Sequence, residues 1–184
     1  SGSIKIAGEE VGGVTGNARD RINRKLGMLF PGAALFDSLP RWENVAFGLM
    51  SAHGIDRPAA RKIGLDCLKQ VGLQKDDAER FPADISVGAQ KRVGLARAIA
   101  SEPKILYFDE PTTGIDPVIG DVIDRLIIKC VKELGATALT ITHDMESARR
   151  IGDRVAMIYE GKIVWVGDVD RIDSSDNEYV DQFI

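Results

Sequence analysis

Apolar and polar positions alternate in two different periods along this chain, and the switches between them mark its elements. Residues 3–11 read as a strand and turn, with Ile4 and Ile6 alternating before Gly8. Asn17 to Lys25 reads as a short charged helix, and the apolar run Leu26-Gly27-Met28-Leu29-Phe30 as a buried strand. After a Pro/Gly loop, helical spacing runs from about Arg41 to His53 and from Arg57 to Val71. Ser86 has the residue type and position of the N-cap of another helix. Lys104 to Phe108 then reads as a buried strand, Pro117 to Leu134 as a helix with Pro in its first turn, and Ala136 to Thr142 as a strand. Met145 to Ile151 is a short helix, and Arg154 to Tyr159 with Lys162 to Val166 forms a hairpin across Glu160-Gly161. Asp168 to Ile184 reads as two short helices.

Strand–helix–strand alternation of this kind predicts a parallel sheet covered by helices, an α/β fold. The block from about 36 to 101 is nearly all helical, which predicts a helical subdomain between core segments 1–35 and 102–184. No linker, repeat or low-complexity tract divides the chain, so 1–184 reads as one domain. Its 184 residues suffice for a sizeable core.

Composition narrows the function. With a net charge of −4, nothing favours a nucleic-acid or anionic-membrane surface over the whole chain. No apolar run approaches the roughly 18–20 residues of a membrane-spanning helix, so a membrane connection is expected only through a partner. Cys67 and Cys130 have no metal-ligand spacing and make no disulfide framework, in keeping with a reduced, cytoplasmic setting.

Three segments carry chemistry. In Ile105-Leu106-Tyr107-Phe108-Asp109-Glu110-Pro111 an apolar strand ends in two acids, at the edge where ligands bind in open α/β sheets. Asp109 is placed to hold Mg²⁺ as in the Walker B pattern, and Glu110 to take the proton of an attacking water, a role worth ~10²–10⁴-fold. The plain alternative is a strand that stops at two solvated acids. Thr140-Ile141-Thr142-His143-Asp144 ends the next strand, which puts His143 near Glu110, where it could contact a phosphate; a helix-capping histidine is the other reading. Ile85-Ser86-Val87-Gly88-Ala89-Gln90-Lys91-Arg92 opens a helix whose free N–H groups and dipole suit an anion, with Lys91 and Arg92 as added cations. By itself that segment equally fits an ordinary capped amphipathic helix.

Taken together, S-x-G-x-Q-K-R, F-D-E-P-T, G-I-D-P and I-T-H-D, in that order, resemble the ATP-binding subunits of ABC transporters along essentially the whole chain. The resemblance implies a P-loop-type parallel sheet with a helical subdomain and an antiparallel hairpin edge, and ATP and Mg²⁺ as ligands. It matches Ser86, Gly88 and Gln90, with Val87 between them, to the nucleotide-contacting signature motif. It matches Asp109 and Glu110 to Walker B, Asp116 to the D-loop and His143 to the switch histidine. It also implies a head-to-tail homodimer on a transmembrane permease, at the cytoplasmic face of the inner membrane. Leu29 to Leu39 with Trp42-Glu43-Asn44-Val45-Ala46-Phe47, and the ending Tyr179 to Ile184, look like the Mla/Mce-type lipid-transport ATPases, in which the 29–47 region faces the permease. Phospholipid or another hydrophobic cargo is the expectation.

Three departures stand against that pattern. No G-x-x-x-x-G-K-[ST] phosphate loop occurs in the chain. The family carries it upstream of the segment that begins here at Ser1, so the chain reads as the part downstream of a cut, with little activity and poor folding of its own. Pro31 stands where the Q-loop glutamine is expected, and Val87 replaces the first glycine of the signature pair. A pseudo-ATPase that docks on a permease without hydrolysing ATP is the competing reading. A soluble ABC protein acting on ribosomes or DNA is a third, unsupported by tandem cassettes, long insertions or charge.

Overall fold

In the computed structural model, which describes residues 2–184, three strands lie side by side in parallel: β3 (Leu26–Leu29), β4 (Ile105–Asp109) and β5 (Thr137–Ile141), in the order β3-β4-β5. Residues 26–29 align with 105–108, and residues 105–109 with 137–141. The central strand is the apolar one. Leu106 and Phe108 are fully buried, each worth about 1.5–3 kcal/mol relative to exposure.

Before the sheet stand a small hairpin, β1 (Lys5–Ile6) and β2 (Glu9–Glu10), and helix α1 (Gly16–Asn23). The hairpin turns on Ala7 and Gly8, both at positive φ, the conformation a two-residue turn needs to match strand twist. The 3–11 segment thus holds two strands, one more than the alternation predicts.

The helical block consists of α2 (Arg41–Ser51), α3 (Arg57–Gln70), two single 3-10 turns and α4 (Val87–Ile99). Trp42, Val45, Ala46 and Leu49 of α2 meet Ala60 and Leu68 of α3 in the core. Asp56 caps α3 by accepting from the Ala59 N–H, and Pro58 sits in its first turn. Helix α4 belongs as much to the sheet as to the helices. Gly27 of β3 lies so close to it that an added Cβ would overlap the Ala98 carbonyl oxygen, and one on Gly94 would meet Leu29.

Packed against α4 runs α5 (Pro117–Leu134), closed by Gly135 in the left-handed conformation, and against α5 in turn α6 (Met145–Ile151). The hairpin β6 (Arg154–Tyr159) and β7 (Lys162–Asp168) follows, then a 3-10 segment Val169–Ser174 and α7 (Glu178–Phe183). The hairpin forms its own two-stranded sheet and does not extend the parallel one, unlike the expected edge arrangement. The chain enters it through α6, and no ladder joins it to β5. β5 is therefore an open edge, with Leu139 55% and Ile141 60% exposed, while Ile158, Ile163 and Val166 of the hairpin are exposed as well.

Candidate functional site

The parallel register sets the site. Asp109 pairs with Ile141 at the ends of β4 and β5, so the residues that follow leave the sheet side by side. The Glu110 N–H donates to the Ile141 carbonyl at 2.9 Å, and its own carbonyl accepts from the Lys91 ammonium at 2.8 Å. Between those two restraints Glu110 sits at φ +49°, in the left-handed region that a non-glycine residue enters only at a cost of ~1–3 kcal/mol. Strain at a strand end, held from two directions, aims one side chain.

That side chain has two partners. Glu110 accepts from Thr113 Oγ1 at 2.5 Å through Oε2, and from His143 Nδ1 at 2.9 Å through Oε1. A carboxylate only accepts, so the proton of the second bond lies on Nδ1 and leaves Nε2 free. Burial is the largest single influence on the Glu110 carboxyl and raises it. The hydrogen bonds from Thr113 and His143, with the His143 and Lys91 charges, outweigh that and leave it below its ordinary value. His143 is raised, first by its hydrogen bond to Glu110 and then by the carboxylate charge. It is 68% exposed, so the pair faces solvent on its histidine side.

Neighbouring residues fix the loops around the pair. Gly114, at φ +77°, turns the chain after Thr113, and Asp116 caps α5 by accepting from the Val118 N–H at 2.8 Å. Asp144 caps α6 through the Glu146 and Ser147 N–H groups. Inside, Asp124 of α5 accepts from Ser147 Oγ at 2.8 Å and from Arg150 Nη1 at 2.7 Å, which ties α5 to α6 behind His143. Burial pushes the Asp124 carboxyl up, and those two bonds act against it.

The 86–92 segment is organised differently from the expectation. Ser86 caps α4 by accepting from the Ala89 N–H at 3.3 Å, Val87 is half exposed, and Gly88 lies against α5, where an added Cβ would come 2.6 Å from Ile119 Cγ2. The Gln90 amide donates backward to the Pro82 and Ile85 carbonyls, so it braces the preceding loop and not the helix mouth. Lys91 and Arg92 do not add cations there either. Lys91 is 1% exposed and bonded to Glu110, and Arg92 reaches the Gly88 and Gly72 carbonyls. Of the expected set, Asp109, Glu110 and His143 come together at the sheet edge, Asp116 caps the adjacent helix, and Ser86, Val87 and Gly88 form the open end of α4.

Around Pro31 the chain makes a tight turn, with Gly32, Ala33 and Ala34 all at positive φ. Arg97 of α4 holds it, donating to the Ala33 and Ala34 carbonyls at 2.6 and 2.7 Å. Asn44, fully buried, pins the next loop by bonding Phe36 through its N–H and carbonyl and Leu39 through its carbonyl. Phe36 and Phe47 meet on the surface with ring centroids 4.6 Å apart and planes tilted by 45°. Beside them a cleft of about 500 Å³ opens between α1, β3, α2 and α4, lined by Met28, Phe30, Val45, Gly48 and Leu49 among others.

Sequence reasoning assigned no site role to Arg97, Asp124, Ser147 or Arg150, and gave Lys91 the wrong one. A signal for Lys91 existed: Gly88, Lys91, Leu95 and Ala98 fall on one helical stripe, and a lysine among core positions asks for a buried acceptor. Asp109 and Glu110 are hard oxygen donors of the type that hold Mg²⁺ beside phosphate and water, and no cluster of three metal-ligating side chains occurs among the described residues. The donor set fits a Mg²⁺ ion carried in with a phosphate ligand.

A family model described as ABC transporter matches residues 1–113. The methionine import ATP-binding protein of Ralstonia nicotianae is 39% identical over 92% of this chain and 48% of its own length. The glycine betaine/proline betaine transport ATP-binding protein ProV of Escherichia coli is 36% identical over 99% of this chain and 46% of its own. The sulfate/thiosulfate import ATP-binding protein CysA of Bordetella bronchiseptica is 37% identical over 91% and 46%. The chain thus spans about half the length of the curated relatives it matches. Among solved structures, a dimeric ATP-binding cassette in a post-hydrolysis state with ADP and Pi superposes with a TM-score of 0.82 at 30% identity, over 92% of this chain and 74% of that one.

Proposed function

Because this chain belongs to the ABC transporter family, we propose that it is the ATP-binding part of a transporter subunit and that the subunit hydrolyses ATP. The observation that carries the reading is the 2.9 Å pair of His143 and Glu110 at the ends of adjacent strands. Glu110, held ionised by Thr113 and His143, takes the proton of a water in line with the γ-phosphate. His143 keeps Nε2 free for a phosphate oxygen. Asp109 would hold Mg²⁺, which supplies charge neutralisation on the phosphates. Ser86, Val87 and Gly88 offer α4 backbone N–H groups to the nucleotide of a second copy, and Asp116, the cap of α5, contributes to that same contact. Gln90 contributes by bracing the 82–85 loop.

Head-to-tail pairing of two copies follows from that division, and the relation to a dimeric cassette supports it. On this reading the 29–47 region and its cleft face permease subunits, and the protein would sit peripherally on the cytoplasmic face of the inner membrane. No helix of the described residues is long and apolar enough to cross a membrane. No nucleic acid is assigned as a partner. The finer reading, a phospholipid or other hydrophobic cargo, rests on the 29–47 and 179–184 segments. The relatives above are named as ATP-binding proteins of methionine import, betaine transport and sulfate/thiosulfate import, and those names weigh toward polar cargo.

Pro31 and Val87 favour the second reading, a pseudo-ATPase. One experiment separates the two: Mg·ATP turnover by the intact natural polypeptide with and without Glu110→Gln. Turnover that falls ~10²-fold or more in the variant, with ATP-dependent dimers retained, supports the base. Absence of turnover in the unmodified polypeptide supports the pseudo-ATPase. The 184 residues alone, without a phosphate loop, are expected to turn over negligibly.

A further inference from the structure

We infer that Lys91 is a positioning residue for Glu110: its buried ammonium holds the Glu110 main-chain carbonyl and so ties the aim of the Glu110 carboxylate to the placement of α4. The inference rests on the reading of Glu110 as the base. Lys91 is 1% exposed, and the Glu110 carbonyl, at 2.8 Å, is its hydrogen-bond acceptor among the described residues. Glu110 needs such a restraint. Its φ of +49° persists only where the surroundings over-determine it, and its N–H is already committed to Ile141 of β5. With β5 holding the N–H of Glu110 and α4 its carbonyl, the carboxylate is delivered to Thr113 and His143.

A structural role alone does not account for a lysine here. Its neighbours on the stripe are Gly88, Leu95 and Ala98, and an apolar side chain of similar length would fill the space without desolvating an amine. Burial lowers the Lys91 amine as the largest influence on it, while the nearby Glu110 and Asp109 charges work to keep it protonated. What methionine cannot supply is the donor. The same rigid helix carries Ser86 to Gly88 at its open end and grips the 33–34 turn through Arg97. An anion that seats on the α4 N-terminus is therefore linked through one turn of helix to the acid at the end of β4.

The test reads the His143 tautomer by long-range ¹⁵N–¹H correlation at pH ~9, where an ordinary imidazole of pKa about 6.5 is neutral, on the intact natural polypeptide. In the unmodified protein the proton sits on Nδ1, donated to Glu110. Lys91→Met, shown to be folded by thermal melting, is expected to lose that state and give the Nε2–H form of a free imidazole. Lys91→Arg, which restores a donor, is expected to keep Nδ1–H. A folded Lys91→Met with the Nδ1–H form unchanged would overturn the inference. Should that variant not fold, the unmodified protein decides: a hydrogen-bond scalar coupling between Lys91 Nζ and the Glu110 carbonyl carbon supports the inference, and its absence sinks it. Lack of ATP turnover would refute the hydrolytic reading and leave the tautomer result standing.

Discussion

His143 Nδ1 lies 2.9 Å from Glu110 Oε1, and the parallel register of β4 on β5 is what brings them there. Neither residue is placed by its own local sequence. Ile141 opposite Asp109 sends both chains off the sheet together, and the left-handed Glu110 turns its carboxylate sideways onto the imidazole.

The pair sets a pH window. His143 is raised above its ordinary value, so its favourable contribution is fully present below about pH 6.5 and is lost as pH rises through the folded value. Glu110 is lowered, so its contribution is present above about pH 4.5 and is lost as pH falls through the folded value. Both groups are charged between Glu110's lowered value and His143's raised one. In an NMR titration His143 is expected to lose its proton above pH ~6.5, and Glu110→Gln to bring it back toward that value. An unchanged His143 titration in the variant would contradict the pairing.

Asp124 offers a test of the scaffold behind the pair. Its side chain is fully buried and bonded to Ser147 and Arg150, while Arg150 also reaches Asp121 at 3.2 Å. Asp124→Ala removes two bonds, one of them to a charged group, and is expected to cost about 1.5–3 kcal/mol in denaturant unfolding. Asp124→Asn keeps one acceptor for the Arg150 guanidinium and can turn its amide N–H toward the Ser147 hydroxyl, which also accepts, so the cost of losing the charge is expected to be smaller. Burial raises Asp124, so its ionised form is disfavoured in the folded state and is stabilising only through its partners. Equal losses for the two variants would mean that the Asp124 carboxylate charge facing Arg150 is what ties α6 to α5.

Much of this was legible in the sequence, and the reasons differ by element. The central strand showed itself because an apolar run ended abruptly in Asp109 and Glu110; α5 showed itself through Pro117 in its first turn. Ser86 behaved as an N-cap because hydroxyl, position and following apolar stripe agreed. What escaped was non-local. Gln90 faces backward because a glutamine in a first helical turn can reach either the open end or the loop before it, and composition does not choose. Lys91 and Arg92 side by side suggest added cations for an anion at the helix start, although only Lys91 lies on the core stripe, where it is buried. The separate hairpin sheet was hidden for a related reason, since strand patterns give pairing within a hairpin and not its docking.

Gly27 tests how tightly α4 is set on the sheet. An added Cβ would overlap the backbone oxygen of Ala98 and come 2.8 Å from Leu106 Cδ2. A backbone oxygen in a helix cannot rotate away, so Gly27→Ala must push α4 off β3. A loss of about 1–3 kcal/mol is the minimum for such overpacking, and soluble yield is expected to fall with it. Gly48→Ala is the control: nothing lies within 4 Å of its would-be Cβ, and alanine favours the helix. Its melting temperature is expected to match or exceed that of the unmodified chain.

Val87 decides whether the departures from the family pattern matter. It stands at the first position of α4, half exposed, beside backbone N–H groups not used by the Ser86 cap, which engages Ala89. A β-branched side chain there crowds any phosphate that approaches the helix end. Val87→Gly opens that space and costs at most about 1 kcal/mol of helix stability. Pro31 is exposed and followed by three positive-φ residues under Arg97, so Pro31→Gln adds an amide without disturbing a buried contact. In the intact natural polypeptide Val87→Gly is expected to raise Mg·ATP turnover several-fold, and the double variant to raise it further. Turnover that stays at background in both, with the dimer still forming on ATP, would mean that these substitutions are not what limits the site, and the reading as a permease-docked pseudo-ATPase would then prevail.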